Sequence, residues 1–532
     1  MEFNLLEEPW LPVVYNDGKQ IEVSLRTIFR DAHRIKNLAG ELPTQDAAIL
    51  RFILAIVYRV VENNDPKGTK GRMFDAIDAY ERWEEYWNNG SFPSELFDKY
   101  LSEYADRFYL IHPDRPFYQY PIDKGSEYKA KKLRGDLAES NNKAKMFSSF
   151  NGKDKDALSY GESVRWLIHL ISYDDASLKP IHKKDGEKMD SAKVGWLGRL
   201  GLVYLKGKNL FETLMLNLVL VDKDGEIFPE EKPVWELDTL EMQERRRIPI
   251  PKSPIGVLTV QSRRVRLLID NGAVTGYTEY VGDQFADTCS NVEQMTMWRQ
   301  DKETNWVPKK LPDPSRAIWR DYTSLLVRGD KNMRPGVIRW GSELVEKGLL
   351  TKDTTDIISV NIFYVGGSMP SDIDDIVSDS ISVNSKVLSK IGDAWNTRID
   401  SMLIKTDECV RYYGLFVKNV MTLNGASDNV EDMSQKETIQ IYNNLDKEFR
   451  RWLFSIDPDV SDMETKSNEW LRDILYRTIA TQAEDYLKDS DPRSYIYVNK
   501  VGEKGTKKNT PTSSIKELKR LKMNIRKIID GD

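Results

Sequence analysis

Val387-Leu388-Ser389-Lys390-Ile391-Gly392-Asp393-Ala394-Trp395-Asn396-Thr397-Arg398-Ile399-Asp400-Ser401-Met402-Leu403 carries apolar side chains at Val387, Leu388, Ile391, Trp395, Ile399, Met402 and Leu403. That spacing of three and four places them on one face of a helix. Three more stripes follow: Tyr442, Leu445, Phe449, Trp452, Leu453; then Leu471, Ile474, Leu475, Ile479, Ala483, Tyr486; then Ile515, Leu518, Leu521, Ile525, Ile528. Ser434 with Glu437 and Ser514 with Glu517 have capping-box spacing where two of these helices should start. Breaks at Gly425-Ala426-Ser427, Asp457-Pro458 and Gly502 to Ser513 suit the connections. Four amphipathic helices that must each hide one face predict a four-helix bundle over residues 377–532.

Upstream the pattern is mixed. Leu11–Tyr15 and Ile21–Leu25 flank Asn16-Asp17-Gly18, the signature of a β-hairpin, and Asn271-Gly272 within the β-branched run from Leu258 to Tyr280 predicts another. After Pro43, Leu50, Ile53, Leu54, Val57 and Val61 recur at helical spacing, with Thr44 as the expected N-cap. Leu210 to Leu220 is apolar almost all round and reads as a buried helix. The fold class is therefore α+β: a large mixed α/β N-terminal domain of irregular fold over residues 1–376, followed by the bundle.

The 532 residues include 78 basic and 84 acidic side chains, a net charge of −6, so the chain as a whole cannot coat nucleic acid by charge alone. Four histidines (His33, His112, His169, His182) and two cysteines (Cys289, Cys409) lie too far apart for a zinc pattern, so neither a metal nor a cofactor is expected. So few cysteines fit a reducing cytoplasm, and the apolar runs are broken by Arg51, Arg59 or Glu212 before they could span a membrane. Phosphate-loop, nucleophile-elbow and HExxH signatures are missing, so the chain does not read as an enzyme. Asp372, Asp374, Asp375 and Asp379 could hold Mg²⁺, or form the solvated acidic start of a helix, which is the reading the sequence favours.

Basic charge is locally concentrated. Arg245 to Arg266 holds seven cations (Arg245, Arg246, Arg247, Lys252, Arg263, Arg264, Arg266) and no acid. Lys179 to Lys208 has eight basic and three acidic residues and carries Gly195, Gly198 and Gly201; Lys124 to Lys155 has nine and four. Such blocks suit phosphate contact, although each alone could be a solvated surface. The last helix is basic as well, with Lys516, Lys519, Arg520, Lys522, Arg526 and Lys527. Gly366-Gly367-Ser368-Met369-Pro370-Ser371 could be a linker or an apolar wedge for a minor groove.

Four blocks, in order, carry a resemblance: Phe3-Asn4-Leu5-Leu6-Glu7-Glu8-Pro9-Trp10-Leu11-Pro12-Val13; Arg107-Phe108-Tyr109-Leu110 with Arg115-Pro116-Phe117-Tyr118-Gln119; Asn209-Leu210-Phe211-Glu212-Thr213-Leu214 with Asn217-Leu218; and Leu258-Thr259-Val260-Gln261-Ser262-Arg263-Arg264-Val265-Arg266-Leu267. Together with the C-terminal helices they resemble the CasA family, the large subunit of Cascade, the type I-E CRISPR surveillance complex. The resemblance implies a non-catalytic subunit at the end of the complex carrying the 5′ end of the guide RNA (crRNA). It would read the protospacer-adjacent motif (PAM) of double-stranded target DNA through the minor groove, help to open the duplex, and recruit the helicase-nuclease. Implied partners are the small subunit CasB, the CasC backbone and CasD, with no membrane. By position it implies a PAM glycine loop at Ser191 to Gly198 (Lys193, Gly195, Trp196, Gly198). The lysine finger falls at Lys309-Lys310, with Lys302 the alternative, and the wedge at Gly367, Ser368, Met369, Pro370 and Ser371. Met369 stands where the family's glutamine would be. A guide-end anchoring loop falls at Lys131 to Gly152, including Lys131, Lys132, Arg134, Lys143 and Lys145. The basic patch Arg245, Arg246, Arg247, Arg263, Arg264, Arg266 would supply further nucleic-acid contacts. The alternative function is an RNA- or protein-binding assembly scaffold.

Overall fold

The computed structural model describes the whole chain except residues 121–125, 138–154, 177–191, 239–247, 328–331, 352, 367–370, 427, 497, 500–510 and 532. It forms two compact units, one of Met1–Arg316, Arg328–Thr351 and Thr355–Ser380, the other of Ala317–Val327, Lys352–Thr354 and Ile381–Asp532. Among the described residues no helix is long and apolar enough to cross a membrane.

The first unit is built from small antiparallel sheets around buried helices. In chain order its main strands are β1 (Leu11–Tyr15), β2 (Gln20–Val23), β3 (Ile35–Leu38), β4 (Ser126–Lys129), β5 (Leu202–Lys206), β6 (Arg263–Asp270), β7 (Ala273–Val281), β8 (Met297–Gln300), β9 (Trp306–Lys309) and, but for their ends at Thr354 and at Ile381 to Asn384, β10 (Thr354–Val365) and β11 (Ser371–Asn384). The sheets run β2-β1-β3, β4-β7-β6 and β11-β10-β5, while β9-β8 is joined by Asn332–Met333. The β6–β7 turn places Asn271 (φ 49°) and Gly272 (φ 76°) both in the left-handed region, the geometry that Asn-Gly favours in a two-residue hairpin.

Helix α1 (Pro43–Asn63) is buried on nearly every side, from Ala47 through Val61. Its N-cap is Leu42, without a side-chain cap, and the first turn relies on Pro43. Thr44, expected as the cap, instead lies with its hydroxyl 3.0 Å from Nε2 of His169 on α2 (Tyr160–Tyr173). That helix begins with a full capping box, Ser159 and Glu162. Helix α3 (Leu210–Leu216) is shorter than the apolar run predicts. Asn217 ends it: its side chain accepts from the Leu205 amide at 2.9 Å and donates to the Leu205 carbonyl at 2.6 Å, while Leu218 to Leu220 continue buried outside the helix.

The second unit contains the four expected helices, α4 (Asp393–Leu423), α5 (Val430–Phe454), α6 (Arg477–Lys488) preceded by a π-helical stretch Glu469–Tyr476, and α7 (Ser514–Asp530). Trp319, Phe449, Trp452 and Trp470 pack ring against ring in its core. Ala317–Val327 belongs to this unit because Trp319 stacks on Phe449 and the Tyr322 hydroxyl donates to Asn396 at 2.6 Å. Both capping expectations are out of register. Ser434 lies inside α5 and donates to the Gly414 carbonyl, and the cap of α7 is Ser513. The carboxylates Asp372, Asp374, Asp375 and Asp379 lie on strand β11, not at a helix start, and that continuous strand crosses the expected 376/377 boundary.

His169 is buried, and burial holds its imidazole down at about 4. The unfolded chain takes up this proton below about 6.5 while the folded chain resists it, so the group's contribution is intact above that pH and is lost as pH falls towards 4. Urea denaturation should show the parent losing about 2 kcal/mol more than His169→Gln between pH 7 and pH 5. Equal losses would contradict this assignment.

Candidate nucleic-acid interface

The first unit places a charge pair in its core. Arg51 on α1 and Glu293, just before β8, are each 1% exposed and form a two-pronged pair at 2.8 Å on both prongs. Arg51 also donates to the Val257 carbonyl at 3.2 Å. Glu293 accepts the Met295 amide at 3.0 Å and the Trp196 indole N–H at 2.8 Å. Burial pushes the Glu293 carboxyl up, but Arg51 together with the Trp196 and Met295 bonds outweighs it and holds the group below the usual carboxylate range. One buried carboxylate thus joins the core helix, the glycine segment and the base of the β8–β9 hairpin.

Trp196 is also held by its own amide, which donates to the Ser262 hydroxyl at 3.0 Å, and by Phe285, whose ring centroid lies 4.5 Å away. On either side of it, Gly195 and Gly198 are buried. A Cβ at Gly195 would strike the Ser172 carbonyl, and one at Gly198 the Tyr364 hydroxyl and Val194. These glycines therefore permit chain-on-chain packing, and of the expected loop residues only Lys193 is exposed.

The lysine candidates separate clearly. Lys310 is largely buried, donating to the carbonyls of Gly198 (2.8 Å) and Ile362 (2.5 Å), and burial lowers its pKa to about 8. It is a strut between the glycine segment and β10, which corrects its expected role as a finger. Tyr364 on the same strand donates to the Tyr173 carbonyl at 2.5 Å. Lys309 is half-buried on β9, and Lys302 is exposed in the turn of the β8–β9 hairpin, where Asp301 caps the amides of Glu303 and Asn305 at 2.9 Å each. Of the expected wedge only Ser371, the first residue of β11, is described; Gly367, Ser368, Met369 and Pro370 lie outside the described residues.

The basic patch is corrected more strongly. Arg263 is buried against Asp174 and donates to the carbonyls of Asp175 (2.5 Å) and Lys193 (2.9 Å). Arg264 is buried against Asp283 at 2.6 Å and lies over the Tyr120 ring. Both are internal braces and cannot form an open patch; Arg266 is half-buried, and Arg245, Arg246 and Arg247 lie outside the described residues. In the expected anchoring loop, Arg134 is buried beside Asp136 (3.3 Å) and Glu162 (3.7 Å), and Lys132 sits 4.0 Å over the Tyr128 ring. Lys131 is half-buried, while Lys143 and Lys145 lie outside the described residues. Among the described residues no three His, Cys, Asp or Glu side chains cluster to hold a metal.

Arg51, Glu293 and Tyr364 were not singled out from the sequence as parts of this site. The signal for the first was a lone arginine in an otherwise apolar stretch of helix, which demands a buried partner.

Residues 4–481 match the family model described as CRISPR-associated protein Cse1, which places the chain among CRISPR-associated proteins. It is 27% identical over 332 residues to CRISPR-associated protein CasA/Cse1 of Thermus thermophilus, covering 62% of this chain and 61% of that protein's length. The crystal structure of Thermobifida fusca Cse1 aligns with a TM-score of 0.79 at 25% identity, covering 99% of this chain and 98% of that one. A chain from a CRISPR RNA-guided surveillance complex shares the fold, aligning at 0.73 and 16% and covering 98% and 99%. The chain belongs to the Cse1 family.

Removing one partner of the buried pair leaves the other charged and unpaired. Arg51→Met should cost about 3–5 kcal/mol in urea denaturation, and adding Glu293→Leu should recover much of it. A loss below about 1 kcal/mol for the single change would mean that the pair does not carry this joint.

Proposed function

We propose that the chain is the non-catalytic large subunit of an RNA-guided DNA surveillance complex, the Cascade type. In this reading it binds duplex DNA beside the target, reads the PAM through the minor groove, and helps open the duplex for guide RNA pairing. It would also recruit the helicase-nuclease while contacting CasB, CasC and CasD. The observation that carries the reading is the joint at Lys310: Gly198 of the glycine segment, the end of β9 and Ile362 on β10 meet at one ammonium group.

A protein that reads a short flank needs its few contacts held in fixed register, because each groove contact contributes only when all are made together. In the proposed arrangement Lys193 and Lys309 face the duplex from opposite sides of this joint. Lys302 extends from the hairpin turn, and Met369 acts as an apolar wedge. Minor-groove edges discriminate base pairs weakly, so several flanks should be accepted. Guide pairing would supply the sequence specificity, the same division of labour that operates in other RNA-guided systems.

Burial of Arg134, Arg263 and Arg264 favours the second reading, an assembly scaffold, because it removes cations from the surface available to nucleic acid. Gel shifts of guide-loaded complex across a library of flanks, with and without this chain, separate the two. The flank preference should require the chain, and Lys302→Ala with Lys309→Ala should weaken duplex binding about tenfold while assembly is retained. Identical flank preference with and without the chain would leave only the scaffold.

A further inference from the structure

Away from the glycine segment, the stretch from Arg107 to Gln119 folds around a small open cavity. Its lining includes Arg107, Arg115, Tyr118, Tyr120, Trp235 and Gln261, and its volume is about 40 Å³. That is room for a few water oxygens or for the oxygens of one small oxyanion.

Three features of the lining point to an anion. First, the Tyr118 hydroxyl is buried and has no hydrogen-bond partner among the described residues. A phenol left in that state loses the bond it makes to water in the unfolded chain, a cost that a ligand oxygen would relieve. Second, Tyr118 holds φ at 53°, a conformation that a bulky side chain rarely adopts and that the surroundings must enforce. Its ring is fixed by stacking on Phe117, centroids 4.3 Å apart, and by the edge of Phe52. Third, two guanidinium groups share the cavity. Arg107 donates to the Leu237 carbonyl, and exposed Arg115 is 3.6 Å from Asp106. Burial lowers the Arg107 pKa, and among its charged neighbours Arg115 acts most strongly, ahead of Asp106 and Asp238. The carboxylates of Asp106 and Asp238 balance the two guanidinium charges, so an anion would be held here by directed N–H donors and not by net charge. The Tyr120 hydroxyl is already committed to Gln261 at 2.5 Å, so Tyr118 is the available phenol donor.

We infer that this cavity binds a single phosphate group, gripped by Arg107 and Arg115 and oriented by a hydrogen bond from the Tyr118 hydroxyl. Planar guanidinium forks match phosphate oxygens, and a phenol donor fixes the third direction. The inference stands apart from flank reading, since it involves none of Lys193, Lys302, Lys309 or Met369.

Isothermal titration of the full chain with orthophosphate tests it. One saturable site is expected, with affinity reduced about tenfold or more by Arg107→Met and by Arg115→Met, and about fivefold by Tyr118→Phe. Tyr118→Phe keeps the ring, so its melting temperature without phosphate should equal or exceed that of the parent, separating a binding role from a structural one. Arg115 has the most exposed side chain of the three, so Arg115→Met remains informative if Arg107→Met fails to fold. Short RNAs bearing a 5′-phosphate or a 5′-hydroxyl then identify the source. Displacement of orthophosphate by the phosphorylated RNA alone assigns a terminal phosphate, displacement by both assigns an internal phosphodiester, and displacement by neither assigns the free ion. Absence of saturable orthophosphate binding in the millimolar range, or binding unchanged in both Arg115→Met and Tyr118→Phe, would overturn the inference.

Discussion

The ion pair between Arg51 and Glu293 is the constraint on which the first unit's architecture turns. Two charges at 1% exposure are costly to desolvate, and an apolar pair of similar volume would pack at least as well. What the pair adds is direction. The second oxygen of Glu293 takes the Trp196 indole as well as Arg51, and the first takes the Met295 amide, so a side chain at one point of the core sets the position of two further buried segments. Lys310 repeats the device one layer out, donating to two carbonyls from segments far apart in sequence. Backbone carbonyls at such junctions have no regular partner, and a long cationic side chain satisfies several at once.

This arrangement revises how the charge of the chain should be understood. Linear clustering of arginines looked like a surface for a polyanion, yet Arg263 and Arg264 each face inward to a carboxylate distant in sequence, Asp174 and Asp283. Strand β6 is covered at both residues, so the alternation that would have turned one outward is absent. Each of these buried arginines is matched by a carboxylate, so neither adds positive charge to the field of a chain whose net charge is −6. Under the proposed function, contacts with DNA would come from individually placed side chains such as Lys302 and Lys309 and not from a continuous basic patch.

Much of the fold was legible where local chemistry decides it. Asn271-Gly272 specified its turn, and Trp395, Ile399, Met402 and Leu403 specified the buried face of a bundle helix, because a turn type and a helical face are properties of neighbouring residues; the stripe's first members, Val387, Leu388 and Ile391, fall before that helix begins at Asp393, with Ile391 exposed. The boundaries were less legible. Ser434 has the spacing of a cap but lies a turn inside α5, since packing against Gly414 extends that helix past its nominal signal. Thr44 was diverted to His169, a residue 125 positions away. The site was least legible of all: the glycines and lysines were assigned by resemblance alone. Which lysine is a strut and which can reach outward depends on the partners at Gly198 and Ile362, and spacing carries no trace of them.

The central claim is that a buried carboxylate holds in register the segments proposed to read the flank. It is tested most directly by the flank discrimination of guide-loaded complex rebuilt with Glu293→Gln, a change that keeps the shape and removes the charge. The account predicts that the affinity ratio between accepted and rejected flanks falls severalfold while the complex still assembles with the variant chain. An unchanged ratio, with the variant folded and incorporated, would contradict it.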